Sequence, residues 1–175
     1  VLESNMANVV DVKCKGDSTG AISLNVNGGT TPYVYTWSDE SSTKDNSNIG
    51  AGSYTVTIVD AKGCTNILSA TVTEPSELYT AIESVIDIDC YAENTGAVDV
   101  TVGGGVEPYL FTWNNGSTTK NLVGVGAGSY TLNVQDQNGC ISEITSTVSQ
   151  SNELILAIEE TTNVLCYGNT TGAAT

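Results

Sequence analysis

Ala51-Gly-Ser-Tyr-Thr-Val-Thr-Ile-Val-Asp-Ala-Lys-Gly-Cys64 returns further along the chain as Ala127-Gly-Ser-Tyr-Thr-Leu-Asn-Val-Gln-Asp-Gln-Asn-Gly-Cys140. In each copy apolar residues occupy every second position: Tyr54, Val56 and Ile58 in one, Tyr130, Leu132 and Val134 in the other. That two-residue period belongs to a strand with one face buried. Asp-x-x-Gly then closes the run with residue types suited to a tight turn, and the chain re-enters an extended segment after the cysteine. The stretch therefore reads as strand, turn and strand.

Working outward, Cys14 and Cys90, Pro32 and Pro108, Trp37 and Trp113, Tyr54 and Tyr130, and Cys64 and Cys140 are each 76 residues apart. The spacing predicts two gapless units, residues 1–76 and 77–152, and a truncated start of a third over 153–175. A unit of this length is able to close a small core of its own, so separate domains in a row are expected and not a solenoid. The third segment holds too few strands to close a sandwich and is expected to need further chain or a neighbouring molecule.

Within a unit, Leu2 and Met6 mark an opening strand, and Ile22, Leu24 and Val26 the inner face of a second, matched by Val98, Val100 and Val102. Gly28-Gly29 and Gly103-Gly104-Gly105 then break the chain before Pro32 and Pro108. Tyr33, Tyr35 and Trp37, and their counterparts Tyr109, Phe111 and Trp113, put three rings on one strand face and are expected at the centre of the core. Tyr54 and Tyr130 belong to the same core set, with the alternative of a tyrosine corner bonded to a nearby backbone group. Six or seven short strands, with turn signals every 8–12 residues or so, predict an all-β fold. The expected architecture is tandem Ig-like, PKD-like antiparallel β-sandwich domains. Glu74-Pro75-Ser76 and Gln150-Ser151-Asn152 are the short linkers.

Twenty acidic residues stand against five lysines, with no arginine and no histidine, for a formal charge of −15. This balance opposes nucleic-acid binding and association with anionic membranes, and no apolar run is long enough to cross a bilayer. The commonest general base is missing, the paired carboxylates sit in no recognisable acid/base motif, and no enzymatic role is expected. The opening VLESNMANVV lacks a signal-peptide pattern, and because Val1 aligns with Glu77 inside a repeat, the chain reads as an excerpt.

The pattern carried by Cys14, Gly16, Gly28, Gly29, Pro32, Tyr33, Tyr35, Trp37, Ala51, Gly52, Tyr54, Asp60, Gly63 and Cys64 resembles the SprB repeat. That repeat occurs in very large surface adhesins of gliding and related Bacteroidetes and is similar to PKD-type β-sandwich domains. The second copy departs where Ala92 replaces Gly16, a position then read as not requiring a positive φ, and where Phe111 replaces Tyr35. The resemblance implies an extracellular, cell-surface filament exported by the type IX secretion system and used in attachment or gliding. Its expected partners are neighbouring repeats of the same chain, together with other surface or secretion-machinery proteins. Independently, tandem sandwiches on short linkers turn sequence length into reach, roughly 35–40 Å per unit. The reading is a disulfide-stapled, non-catalytic stalk; the alternative is a carbohydrate- or Ca-binding surface module.

The cysteines, at 14, 64, 90, 140 and 166, have alternating gaps of 50 and 26 residues. Pairing within units joins Cys14 to Cys64 and Cys90 to Cys140, leaving Cys166 without its partner; pairing across units joins Cys64 to Cys90 and Cys140 to Cys166. The within-unit scheme is favoured, because Cys64 and Cys90 should be carried toward opposite ends of neighbouring domains. It would stabilise each sandwich by about 3–4 kcal/mol in the chain-entropy model. Strand parity stands against it, since Cys14 must fold back toward the turn at Asp60. Asp60 and Asp136, with Asp11, Asp87 and Asp89, are weak candidate ligands for Ca²⁺, the one cofactor considered; no metal site is assigned, because a turn carboxylate bonding its own backbone explains Asp60 and Asp136 equally well. Ser18, in Asp17-Ser18-Thr19, is a weak candidate for O-glycosylation.

Overall fold

The structure, a computed structural model, describes residues 1–159, 161, 162, 167, 168, 170, 173 and 174. The first unit contains β1 (Leu2–Val10), β2 (Gly20–Gly28), β3 (Val34–Trp37), β4 (Asn46–Ile49), β5 (Gly52–Val59) and β6 (Thr65–Val72). The second repeats them as β7 (Tyr79–Ile86), β8 (Gly96–Gly103), β9 (Leu110–Trp113), β10 (Leu122–Val125), β11 (Gly128–Gln135) and β12 (Ile141–Val148). There is no helix among the described residues. Each unit is a sandwich of two three-stranded antiparallel sheets, ordered β1-β2-β4 and β3-β5-β6, then β10-β8-β7 and β12-β11-β9.

Each sandwich holds its own core. In the first, Ile22 and Leu24 of one sheet face Trp37, Val56 and Ile58 of the other, with Leu2, Val12, Ile49 and Val72 closing the ends. In the second, Val98, Val100, Trp113, Leu132, Val134 and Val148 are joined by Ile88 and Leu122. The strand alternation accounts for this, because its apolar half is the half that points between the sheets. The aromatic expectation needs adjustment: Trp37 and Trp113 lie at the centre, each 2 % exposed, whereas Tyr33, Tyr35, Tyr54, Tyr109, Phe111 and Tyr130 are half-buried and pack around the aliphatic centre. The tyrosines keep their hydroxyls near the rim, where Tyr33 donates to the Gly28 carbonyl and Tyr109 to that of Gly104. Tyr54 donates to the Gly50 carbonyl at 3.0 Å and Tyr130 to that of Gly126 at 2.9 Å, the predicted corner in both copies.

Where the copies differ in polarity, the packing follows. Asn46 is buried and donates to the Asp39 carboxylate at 2.8 Å, so its amide has a partner. At the matching position Leu122 joins the core outright. Gly20 and Gly96 sit where a Cβ would strike Val72 and Val148, respectively, so the opening of β2 and β8 is pressed against the last strand.

The opening strand changes sheets. After a register shift between Met6 and Asn8, β1 runs beside β2 as far as Val10, and Val12 then donates to the Thr73 carbonyl at the end of β6. Ile88 does the same with Ser149, and forms a parallel bridge to Gln150. Beyond the second unit, β13 (Thr161–Thr162) and β14 (Ala173–Ala174) pair antiparallel, Thr161 opposite Ala174, the register that Val9 and Ile22 have in the first unit. Cys166 lies outside the described residues.

Candidate functional site

Strand direction gives every unit two poles. Val1, Gly28, Gly29, the loop before β3 and the Asp60–Cys64 turn share one end, here called the head: Gly29 donates to the Val1 carbonyl and Ala61 to that of Thr30. Cys14, Gly20, Ile49 and the end of β6 share the other, the tail. Cys14 and Cys64 are therefore at opposite ends of one sandwich. The same holds for Cys90 and Cys140.

This geometry overturns the expected pairing. Cys14 is bonded to Cys140, with 5.6 Å between the Cα atoms and a sequence separation of 126. Cys14–Cys64 and Cys90–Cys140 do not form, and Cys64 and Cys90 are free and exposed. The alternative Cys64–Cys90 bridge is absent too, and Cys140 is taken by Cys14 and not by Cys166. The linker brings the tail of the first unit against the head of the second, and the sulfur bridge crosses that joint.

Local hydrogen bonds hold both sulfurs in place. On the tail side Gly16 donates to Glu74 Oε2 at 2.7 Å and Lys15 Nζ to Glu74 Oε1 at 2.9 Å, tying the loop after β1 to the linker. Glu74 is held below its ordinary pKa of 4.5, first by the Gly16 amide and then by Lys15. Gly16 has φ +81°, and Ala92, which replaces it, has φ +60°. The position does require the left-handed region, contrary to the expectation drawn from the alanine; Ala92 also donates to Gln150 Oε1, at 3.0 Å.

On the head side, Asp136 Oδ1 accepts the amides of Asn138 and Cys140, both at 2.9 Å, and Oδ2 accepts that of Val106. Asp60 does the same with Lys62, Cys64 and Thr30. The Asp60 carboxyl is held below its ordinary 3.8, chiefly by the Cys64 amide. Both aspartates are buried turn residues with each oxygen engaged by backbone. Asp11 and Asp87 accept the amides of Thr73 and Ser149, and among the described residues no three His, Cys, Asp or Glu side chains gather as a metal site. Asp89 is exposed, and Ser18 lies in the exposed tail loop.

Across the joint, Asn138 Nδ2 donates to the Lys13 carbonyl at 2.8 Å. Cys14, Lys15, Asp17, Glu77, Leu78, Gly139, Cys140 and Ile141 line a cavity of about 380 Å³ beside the bridge. Sequence reasoning missed Lys13, Lys15, Glu74 and Asn138 as joint residues. The available signal was strand parity, which separates Cys14 from Cys64 and leaves a neighbouring head as the surface that Cys14 meets.

The family model of the SprB repeat matches residues 6–42 and 82–118, two tandem copies. No curated protein matches the sequence significantly. Among solved structures, the chain is similar to a C-terminal fragment of intimin in complex with the intimin-binding domain of the translocated intimin receptor. That match has 13 % identity and a TM-score of 0.47, covering 83 % of this chain and 64 % of the other. The insect immune protein hemolin has 14 % identity and a TM-score of 0.38, with coverage of 85 % and 47 %. Extracellular domains 3–5 of Drosophila OTK have 12 % identity and a TM-score of 0.38, with coverage of 86 % and 62 %. The chain thus spans less than two thirds of the length of each of these solved chains. No helix among the described residues is long and apolar enough to cross a membrane.

Proposed function

We propose that this chain is a non-catalytic stalk segment of a bacterial cell-surface adhesin or filament, working outside the cell in attachment or gliding, with neighbouring repeats as its first partners. Surface proteins and the export machinery are the further partners this reading expects. The observation that carries it is the Cys14–Cys140 bond, which joins the tail of one sandwich to the head of the next. A pull applied at the two ends runs along β1 to Cys14, across the sulfurs, and out from Cys140 along β12. Everything between is off the load path. The tandem SprB matches support the same reading. The disposition of the polar groups supports it over a ligand-binding module: the aromatic rings pack around cores, and the Asp60 and Asp136 carboxylates are tied to backbone amides.

Single-molecule stretching from the termini tests this. With the bond closed, lengthening is confined to residues outside the bridge. Reduction, or Cys14→Ser, releases the 126-residue span and adds contour on the order of 400 Å at about 3.5 Å per residue. If the oxidised chain releases that full length, the load-bearing reading is wrong.

A further inference from the structure

We propose that Cys64 and Cys90 are thiol docking sites for another repeat unit, each taking the opposite pole in the bond that Cys14 and Cys140 already make. Cys64 is the head cysteine of the first unit and Cys90 the tail cysteine of the second. They are free and exposed, whereas the equivalent pair is closed across the internal joint. The backbone frames are the same in both states. The Cys64 amide donates to Asp60 Oδ1 at 2.8 Å, as that of Cys140 does to Asp136 at 2.9 Å. The loop after Cys90 is tied to Gln150 through Ala92, as the loop after Cys14 is tied to Glu74 through Gly16.

Charge favours the same match. At the internal joint Asn138 reaches the Lys13 carbonyl. In a joint between Cys64 and Cys90 the matching positions are Lys62 and Asp89, so the side chain that reaches across is a cation and the residue whose carbonyl it reaches is an acid. The occupant is therefore the opposite pole of another such unit, for which a second copy of this chain serves as the probe. The bond forms by thiol–disulfide exchange with a small disulfide such as oxidised glutathione. Cys64 and Cys90 lose two protons and two electrons, one sulfur–sulfur bond forms, the glutathione disulfide breaks, and two reduced glutathione molecules leave. The inference rests on the joint's geometry and goes beyond the stalk reading, since such a linkage forms whether or not the chain bears load.

The test uses the whole chain carrying Cys166→Ser, so that Cys64 and Cys90 are the two thiols outside the internal bridge. It is concentrated with oxidised glutathione, separated without reductant, and digested at aspartate and lysine so that cleavage at Asp87 parts the two cysteines. The expected result is a reducible ladder in which Cys64–Cys90 peptides outnumber Cys64–Cys64 and Cys90–Cys90 peptides by about tenfold, because docking raises the effective concentration of one partner only. Lys62→Glu is expected to slow the ladder severalfold, and the effect should fade at high salt. Like-with-like bridges in comparable amounts, a monomer that ends as the glutathione adduct, or a map joining Cys14 to Cys64 would each overturn the proposal.

Discussion

Asp60 shows how much a single carboxylate organises here. Its two oxygens gather the amides of Thr30, Lys62 and Cys64, binding the loop before β3 to the turn that presents the head cysteine. Those bonds favour the ionised form and lower the pKa, and Gly16 with Lys15 does the same for Glu74. Because both folded values lie below the unfolded ones, the stability they confer is complete above the unfolded carboxylate range, about pH 4. It is lost as pH falls through the folded values. Tryptophan fluorescence followed during acid titration should show Asp60→Asn weakening the acid-dependent loss in the first unit, while Ser18→Ala leaves it in place. An unchanged acid limb in Asp60→Asn would mean the carboxylate is not the sensor. The turn itself was legible in Asp-x-x-Gly, and so was the rival to a calcium role. That Oδ2 reaches across to Thr30 was not, because the two residues belong to separate loops that only the folded sandwich brings together.

At the scale of the strand, alternation decided nearly everything. Ile22, Leu24, Val56 and Ile58 read as inward-facing and are buried in the sandwich they build. β3 and β9 are short and each carries two of the three aromatics, Tyr33 and Tyr109 lying just before them; in each set only the tryptophan reaches full burial, its Nε1 donating at 2.9 Å to the carbonyl of Thr43 or Thr119. Trp37→Ala should cost about 3–5 kcal/mol, the range for deleting a large buried aromatic. Calorimetry should show that loss in the first unit, with the transition of the second shifted far less. A single transition moving as a whole would instead mean that the two sandwiches unfold as one. What alternation did not disclose is the move of the opening strand from β2 to the end of β6 at Val12. A change of sheet preserves the inward-outward pattern and leaves no mark in it.

For the whole molecule, the bridge matters more for arrangement than for either core. With Cys14 and Cys140 joined, an unfolded first unit stays tethered at its tail and at the linker, closing a loop of about 60 residues. In the chain-entropy model this stabilises the folded unit by about 4 kcal/mol. Cys14→Ser should therefore lower both melting transitions and widen the distribution of interunit distances in small-angle scattering, with the strand signal in circular dichroism retained. Identical scattering from bridged and unbridged chains would show that the linker and the Asn138–Lys13 contact fix the joint unaided.

The sequence by itself determined the length of the repeat, the all-β sandwich, its inner and outer faces, and the turns at Asp60 and Asp136. Each is a matter of local period or of residue type at a fixed offset. Cysteine pairing was decided only by the tertiary structure. A bond depends on which pole each strand delivers its sulfur to and on which pole the linker sets opposite. The even 76-residue spacing is the same whether Cys14 meets the head of its own unit or that of the next.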